Sequence, residues 1–111
     1  MTVSEIEARA RKILLDDKEP YRWSSQDIRE EIADAVRHVQ SVRPETRYVN
    51  GALKDYCLPE NDGDEMEMDG RFREALVYYV VYKCYLYDDT DTVNAQLADS
   101  YLAKSNTYAQ I

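Results

Sequence analysis

Four sets of residues are of types that could do chemistry. Glu30, Glu31 and Asp34 place three carboxylates on neighbouring positions of a helix-prone stretch, the arrangement by which helix-borne acids hold magnesium for phosphate hydrolysis. Glu65-Met66-Glu67-Met68-Asp69-Gly70 starts like a calcium loop of the EF-hand kind, with acids at its first, third and fifth positions and Gly at its sixth. Its twelfth position, however, is Leu76, where a bidentate Glu is needed. His38, the only histidine, follows Arg37 with no obvious Ser, Cys or carboxylate partner, so no nucleophile and base can be paired. Cys57 and Cys84 stand 27 residues apart without a CxxC or His neighbour, which leaves a disulfide framework or zinc site without support. The expectation is a protein that is not an enzyme and carries no metal or cofactor. The three carboxylates then form a solvated helix face, and His38 is a surface or interface residue.

The composition agrees. At 111 residues the chain suits one domain, 1–111, with a real core. A net charge of -8 argues against a phosphate-gripping surface, because nucleic-acid affinity rests on Lys and Arg displacing counterions. The start, MTVSEIEARARK, lacks the apolar stretch of a signal peptide, and the most apolar run is far shorter than the roughly 20 residues of a membrane span. A soluble chain made in the cytosol is expected. Charge is uneven: residues 1–43 hold 8 bases and 9 acids, 44–70 hold 2 and 8, and 71–111 hold 4 and 5. Six of the eight net negative charges thus belong to the middle segment, which reads either as a solvated loop or as an acidic wall that nucleic acid slides past.

The elements that would position these groups are four helices, near 3–16, 24–43, 70–88 and 91–108, with a small β-hairpin or acidic loop at 44–69. Thr2 with Glu5, or Ser4 with Glu7, offers a capping box to the first helix, whose apolar positions are Ile6, Ala10, Ile13 and Leu14. Ser24 caps the second, whose inner stripe is Ile28, Ile32, Ala35, Val36, Val39 and Val42, and Pro44 ends it near Arg43. Trp23, just before that cap, is expected to anchor the junction of helices one and two as a hydrophobic staple. Asn50-Gly51 is a hairpin signal within 47–59. Asp69 can cap the third helix, and Thr90 or Asp91 the fourth, in which Val93, Leu97, Ala98, Tyr101, Leu102 and Tyr108 face inward.

The third helix contains ALVYYVVYKCYLY, residues 75–87, with five tyrosines and one of the chain's 36 charges. Phe72, Leu76, Tyr79, Val80 and Tyr87 fall on one face and Val77, Val81, Cys84 and Tyr85 on another. Two apolar faces exceed what three amphipathic helices are expected to cover, so Tyr78, Val81, Tyr82 and Tyr85 are assigned to a subunit interface, where tyrosine tolerates partial wetting. The other reading is a Tyr-rich core with hydroxyls at the surface.

The stretch YRWSSQDIREEIADAVRHVQSVRP, residues 21–44, resembles the head-tail connector, or adaptor, proteins of tailed bacteriophages. In that family an Arg-Trp-Ser opening leads into a helix ending in Arg-Pro, here Arg22, Trp23, Ser24, Arg43 and Pro44. The likeness extends to Leu14-Leu15-Asp16-Asp17 in the first segment, the loop-hairpin insertion, the aromatic third helix and a pattern from Ala95 to Tyr101. The resemblance implies a mainly α subunit of a dodecameric ring in the virion neck. Such a ring lies between the portal protein and a downstream tail protein and extends a channel through which DNA passes unbound. Glu60, Asp62, Asp64, Glu65, Glu67 and Asp69 would then line the channel or the tail-facing rim. The competing expectations are an acidic all-α protein-interaction or regulatory module and, further off, a metal-dependent hydrolase.

Overall fold

The computed structural model describes residues 1–49, 51–53, 58–87 and 92–110. Four helices dominate: α1 (Val3–Leu14), α2 (Ser25–Val42), α3 (Arg73–Tyr87) and α4 (Thr92–Gln110). The fold is mainly α, as the apolar periodicity requires.

Capping side chains set the helix starts. Thr2 Oγ1 accepts the Glu5 amide at 3.1 Å, and Ser24 Oγ accepts the Asp27 amide at 3.1 Å. Asp69 accepts the Arg71 amide at 2.9 Å and opens a 3-10 turn, Gly70–Phe72, that runs into α3. α2 stops at Val42 because Pro44 follows two residues later, disfavours helical geometry at Arg43 and begins its own 3-10 turn, Pro44–Arg47. α1 ends two residues sooner than expected. Leu15 turns left-handed (φ 56°), a conformation disfavoured for a side chain with a Cβ, and Asp16 swings inward. α4 runs two residues beyond its expected end.

Two two-residue strands, β1 (Tyr48–Val49) and β2 (Ala52–Leu53), pair antiparallel with Tyr48 opposite Leu53 and Val49 opposite Ala52. Gly51 supplies the positive φ (80°) that this tight connection needs; Asn50, its expected turn partner, lies outside the described residues. Lys54–Cys57 and the expected break and cap at Asp88–Asp91 also lie outside them, and Val93 is described without its side chain.

α3 is the central element. α1 and α2 pack on one side and α4 runs antiparallel along another, so that Phe72, Leu76, Val77, Val80, Val81 and Cys84 are all buried within one chain. Two apolar faces therefore find partners without a second subunit. The close approach of α4 depends on small residues: Ala98, Ser105 and Ala109 form its buried line, and Ser105 Oγ donates to the Ala75 carbonyl at 2.7 Å. That line displaces Tyr108, expected inside, to the edge of the seam, where it is 38% exposed. Tyr87, also expected inside, is 61% exposed, because its hydroxyl takes Glu31 and Lys83 as partners at the rim.

Candidate functional surfaces

The four residues expected at a subunit interface separate into two kinds. Val81 has no exposed surface and belongs to the core, so its assignment to an interface is corrected: the neighbouring helices of its own chain already cover it. Tyr78, Tyr82 and Tyr85 are half-buried. Tyr78 and Tyr85 both join a ladder along the α3–α4 seam, in which Tyr78 lies 5.9 Å from Tyr101 and 5.4 Å from Tyr108, and Tyr85 lies 5.8 Å from Tyr101. Lys104 Nζ sits 4.8 Å from the Tyr101 ring and 5.7 Å from that of Tyr78, adding cation–π attraction at the solvent edge. Tyr82 packs edge-on against Tyr79 at 5.4 Å. Burial pushes the Tyr78, Tyr79 and Tyr85 hydroxyls above their ordinary pKa, so all three remain neutral donors at physiological pH.

The acidic segment is anchored rather than loose. Asp62 accepts from Arg29, whose guanidinium also reaches the Pro59 carbonyl, and the Asp62 carbonyl accepts the Ser4 amide at 2.9 Å. Glu65 holds the Met1 ammonium at 2.6 Å and pairs as an isolated β-bridge with Thr2. The Met66 amide donates to the Met1 carbonyl at 2.9 Å, and the Met66 and Met68 side chains are buried. Asp69 is committed to its cap. Glu60, Asp64 and Glu67 are the exposed acids of the segment besides these; Asp64 accepts from Asn61 Nδ2 at 3.4 Å. Three of the six expected surface acids, Asp62, Glu65 and Asp69, thus build the fold.

Trp23 sits where the staple places it, half-buried against the core, with Arg22 over its ring at 4.8 Å. The residue that organises this connection, however, is Asp16. Its carboxylate accepts from Arg11 Nη1 (2.8 Å), the Arg22 amide (2.7 Å) and the Trp23 amide (3.3 Å), and only 7% of its surface is exposed. Arg11, 4% exposed, also bonds Glu7 at 2.9 Å and lies 4.2 Å over the Tyr21 ring, while Ser25 Oγ donates to Glu7 at 3.0 Å. The buried ion pair is not legible from charge pattern alone. The one signal was an Arg on the inner stripe of α1, a turn after Glu7.

The three helix carboxylates have separate partners. Asp34 pairs with Arg37 at 2.6 Å, Glu30 accepts from Gln26 at 3.4 Å, and Glu31 faces Lys83 Nζ at 4.0 Å. Among the described residues no group of three or more His, Cys, Asp or Glu is placed to hold a metal ion. Burial pushes the Glu31 carboxyl above its ordinary pKa. Burial works against the Lys83 ammonium too, yet Tyr87 and Glu31 hold its pKa above the ordinary value. The pair is uneven because a 4.0 Å contact is longer than a hydrogen bond and repays less than the carboxylate loses by leaving water.

His38 is structural. Its Nε2 lies 2.7 Å from Asn106 Oδ1 and its ring stacks on Tyr79 at 4.6 Å, joining α2, α3 and α4. Arg43, from the Arg-Pro pair, donates to the Ala109 carbonyl at 3.0 Å and so ties the end of α2 to the end of α4. Cys84 is a free, buried thiol whose pKa burial pushes up to about 12, which leaves it unreactive. Cys57 lies outside the described residues.

No helix among the described residues is long and apolar enough to cross a membrane. No protein-family model, no curated protein and no solved structure matches the chain.

Proposed function

We propose that this chain is a structural subunit of a phage-type virion neck, assembling as a ring between a portal protein and a tail protein around a DNA channel. The observation that carries the reading is the frame of Arg22-Trp23-Ser24 and Arg43-Pro44 around α2, set within four helices in the order that the connector resemblance implies. Both ends of that frame hold the subunit together. The Arg22 and Trp23 amides bind Asp16, Ser24 caps α2, and Arg43 binds the end of α4. The buried Val81 removes the inner faces of α3 from the neighbour contact and leaves the half-exposed tyrosine seam of Tyr78, Tyr85, Tyr101 and Tyr108 as the surface for it. Glu60, Asp64 and Glu67 lie at the surface, where a channel wall or a tail-facing rim would present them. No chemistry is assigned to the subunit, and its localisation would be the virion neck after synthesis in the host cytoplasm.

A second reading, an acidic interaction or regulatory module acting as a monomer, is favoured by one observation: α3 is covered on both apolar faces within a single chain. Sedimentation and negative-stain imaging of the purified chain, alone and mixed with portal rings, separate the two. The neck reading expects closed rings of about twelve copies in at least the second setting. A monomer in both settings overturns it in favour of the interaction module.

A further inference from the structure

Between the start of α2 and the end of α3 lies a cavity of about 360 Å³ with an unusual lining: the aromatic rings of Trp23 and Tyr87, the carboxylates of Asp27, Glu30 and Glu31, and Ile28 and Cys84. We propose that this cavity receives the arginine side chain of a basic segment presented by a different protein.

The chemistry of the lining specifies a cation with a flat apolar face. Trp23 and Tyr87 offer π-faces, and a guanidinium both stacks on such rings and presents a fork of donors to carboxylates, whereas an ammonium is a compact point charge. The volume lies within the range of small-molecule pockets and exceeds that of one side chain, so the incoming group enters with its flanking methylenes over Ile28. Resident cations do not balance the acids. Lys83 faces Glu31 at 4.0 Å and lies 5.2 Å from the Tyr87 ring, and Arg22 stacks on Trp23, so among the described residues two cations stand near three lining carboxylates. Glu31 Oε2 is itself out of contact with solvent and lacks a hydrogen-bond donor, although the Tyr87 hydroxyl and, at 4.0 Å, the Lys83 ammonium stand beside the carboxylate. Tyr87 is 61% exposed and thus open to an incoming chain.

Charge also decides whose arginine it is. Three carboxylates at the mouth draw a basic segment of another protein, and the net charge of -8 adds to that attraction. This inference does not rest on ring formation.

Trp23 is the only tryptophan in the chain, so its fluorescence reports on this cavity directly. The probe is an acetylated, amidated peptide carrying one arginine flanked by glycines, with norleucine and lysine peptides as controls. The arginine peptide is expected to give a saturable change in Trp23 emission and the norleucine peptide none. Glu30→Gln should weaken binding roughly tenfold, as loss of a charged hydrogen-bond partner does. Tyr87→Leu should weaken it roughly two- to fivefold through loss of the cation–π contact. Circular dichroism verifies that each variant is folded. Four outcomes overturn the proposal: a change that does not saturate, equal response to norleucine, tetramethylammonium binding as tightly as the arginine peptide, or Glu30→Gln altering self-association while leaving peptide binding intact. The first two remove the site, the third makes it a small-cation pocket, and the last makes it a contact between copies.

Discussion

The α1–α2 connection and the α3–α4 seam solve the same problem, fixing one helix on another, with opposite chemistry. The connection is ionic. Buried Arg11 and Asp16, with Glu7 at their side, collect the amides and hydroxyl of the turn, and the apolar contribution comes mainly from half-buried Trp23. The seam is steric: Ala98, Ser105 and Ala109 let α4 close on Ala75, Leu76 and their neighbours, and among the described residues one hydroxyl-to-carbonyl bond is its buried polar contact. A seam of close-packed small and branched residues fails when volume or charge is added. An ionic connection fails when one partner is removed and the other is left in low dielectric.

The largest expected effect follows from charging the buried side of α3. Val81→Glu places a carboxylate at a position with no exposed surface and no cation assigned to it, a penalty of several kcal/mol that rivals the whole stability of a domain this size. Far-ultraviolet circular dichroism should show loss of the cooperative helical transition. A folded, monomeric Val81→Glu protein would mean that this face is open, and would restore Val81 to an intersubunit contact.

Breaking the connection should cost less but still be plain. Asp16→Ala leaves the Arg11 guanidinium with Glu7 alone and strips two backbone amides of their acceptor, an expected loss of about 3–5 kcal/mol by chemical denaturation. Replacing Arg11 and Asp16 together by Met and Leu should recover only the part that comes from the unpaired guanidinium, because the Arg22 and Trp23 amides still lack their acceptor. If Asp16→Ala costs under about 1 kcal/mol, the connection behaves as a surface ion pair and the contrast with the seam disappears.

Trp23→Ala lies between the two chemistries. The ring is half-buried, so truncation should cost roughly 1–3 kcal/mol, below the 3–5 kcal/mol or so of a fully buried aromatic. The same denaturation curves measure it. An unchanged midpoint would remove the staple.

These contrasts explain how much of the molecule could be read in its sequence. Helix positions followed from the 3.6-residue apolar period and from Ser24, Thr2 and Asp69, because caps act locally. The direction of α3's second face could not be read, since the period shows that Val77, Val81 and Cys84 want cover but not whether helices of the same chain or another subunit provide it. Small residues at 98, 105 and 109 were the clue, and the large tyrosines at 101 and 108 obscured it. At the candidate surfaces, composition exposed the acidic run but not its use: which acid meets Arg29 or the terminal ammonium is a long-range pairing that only the folded chain reveals. The Trp23–Tyr87 cavity joins residues 64 positions apart and has no local signature at all.

The smallest expected effect tests the other half of the acidic run against its anchored half. Glu60, Asp64 and Glu67 lie at the surface, and exposed substitutions away from special features change stability by about 0.5 kcal/mol or less, so replacing all three by Lys should leave the denaturation midpoint nearly unmoved. The charge change is large all the same. Each substitution adds two units, and three take the chain from -8 to -2. If the chain forms the proposed ring, that shift is repeated in every copy, and a wall that would repel phosphate becomes one that would hold it. On that proposal duplex DNA should be retained by the assembled variant at low salt and released as salt rises, while the unsubstituted assembly should retain none. The anchored acids give the opposite pattern. Asp62→Lys sets two cations against each other at Arg29 and Glu65→Lys does so at the Met1 ammonium, so both should lower the midpoint measurably before any change in DNA retention appears. If the Glu60, Asp64 and Glu67 variant destabilises the fold as much as those two, the division of the segment into anchored and surface acids is wrong. If it is stable yet retains no DNA in the assembled state, the exposed acids face away from the channel and belong to a tail-facing rim or the outer circumference.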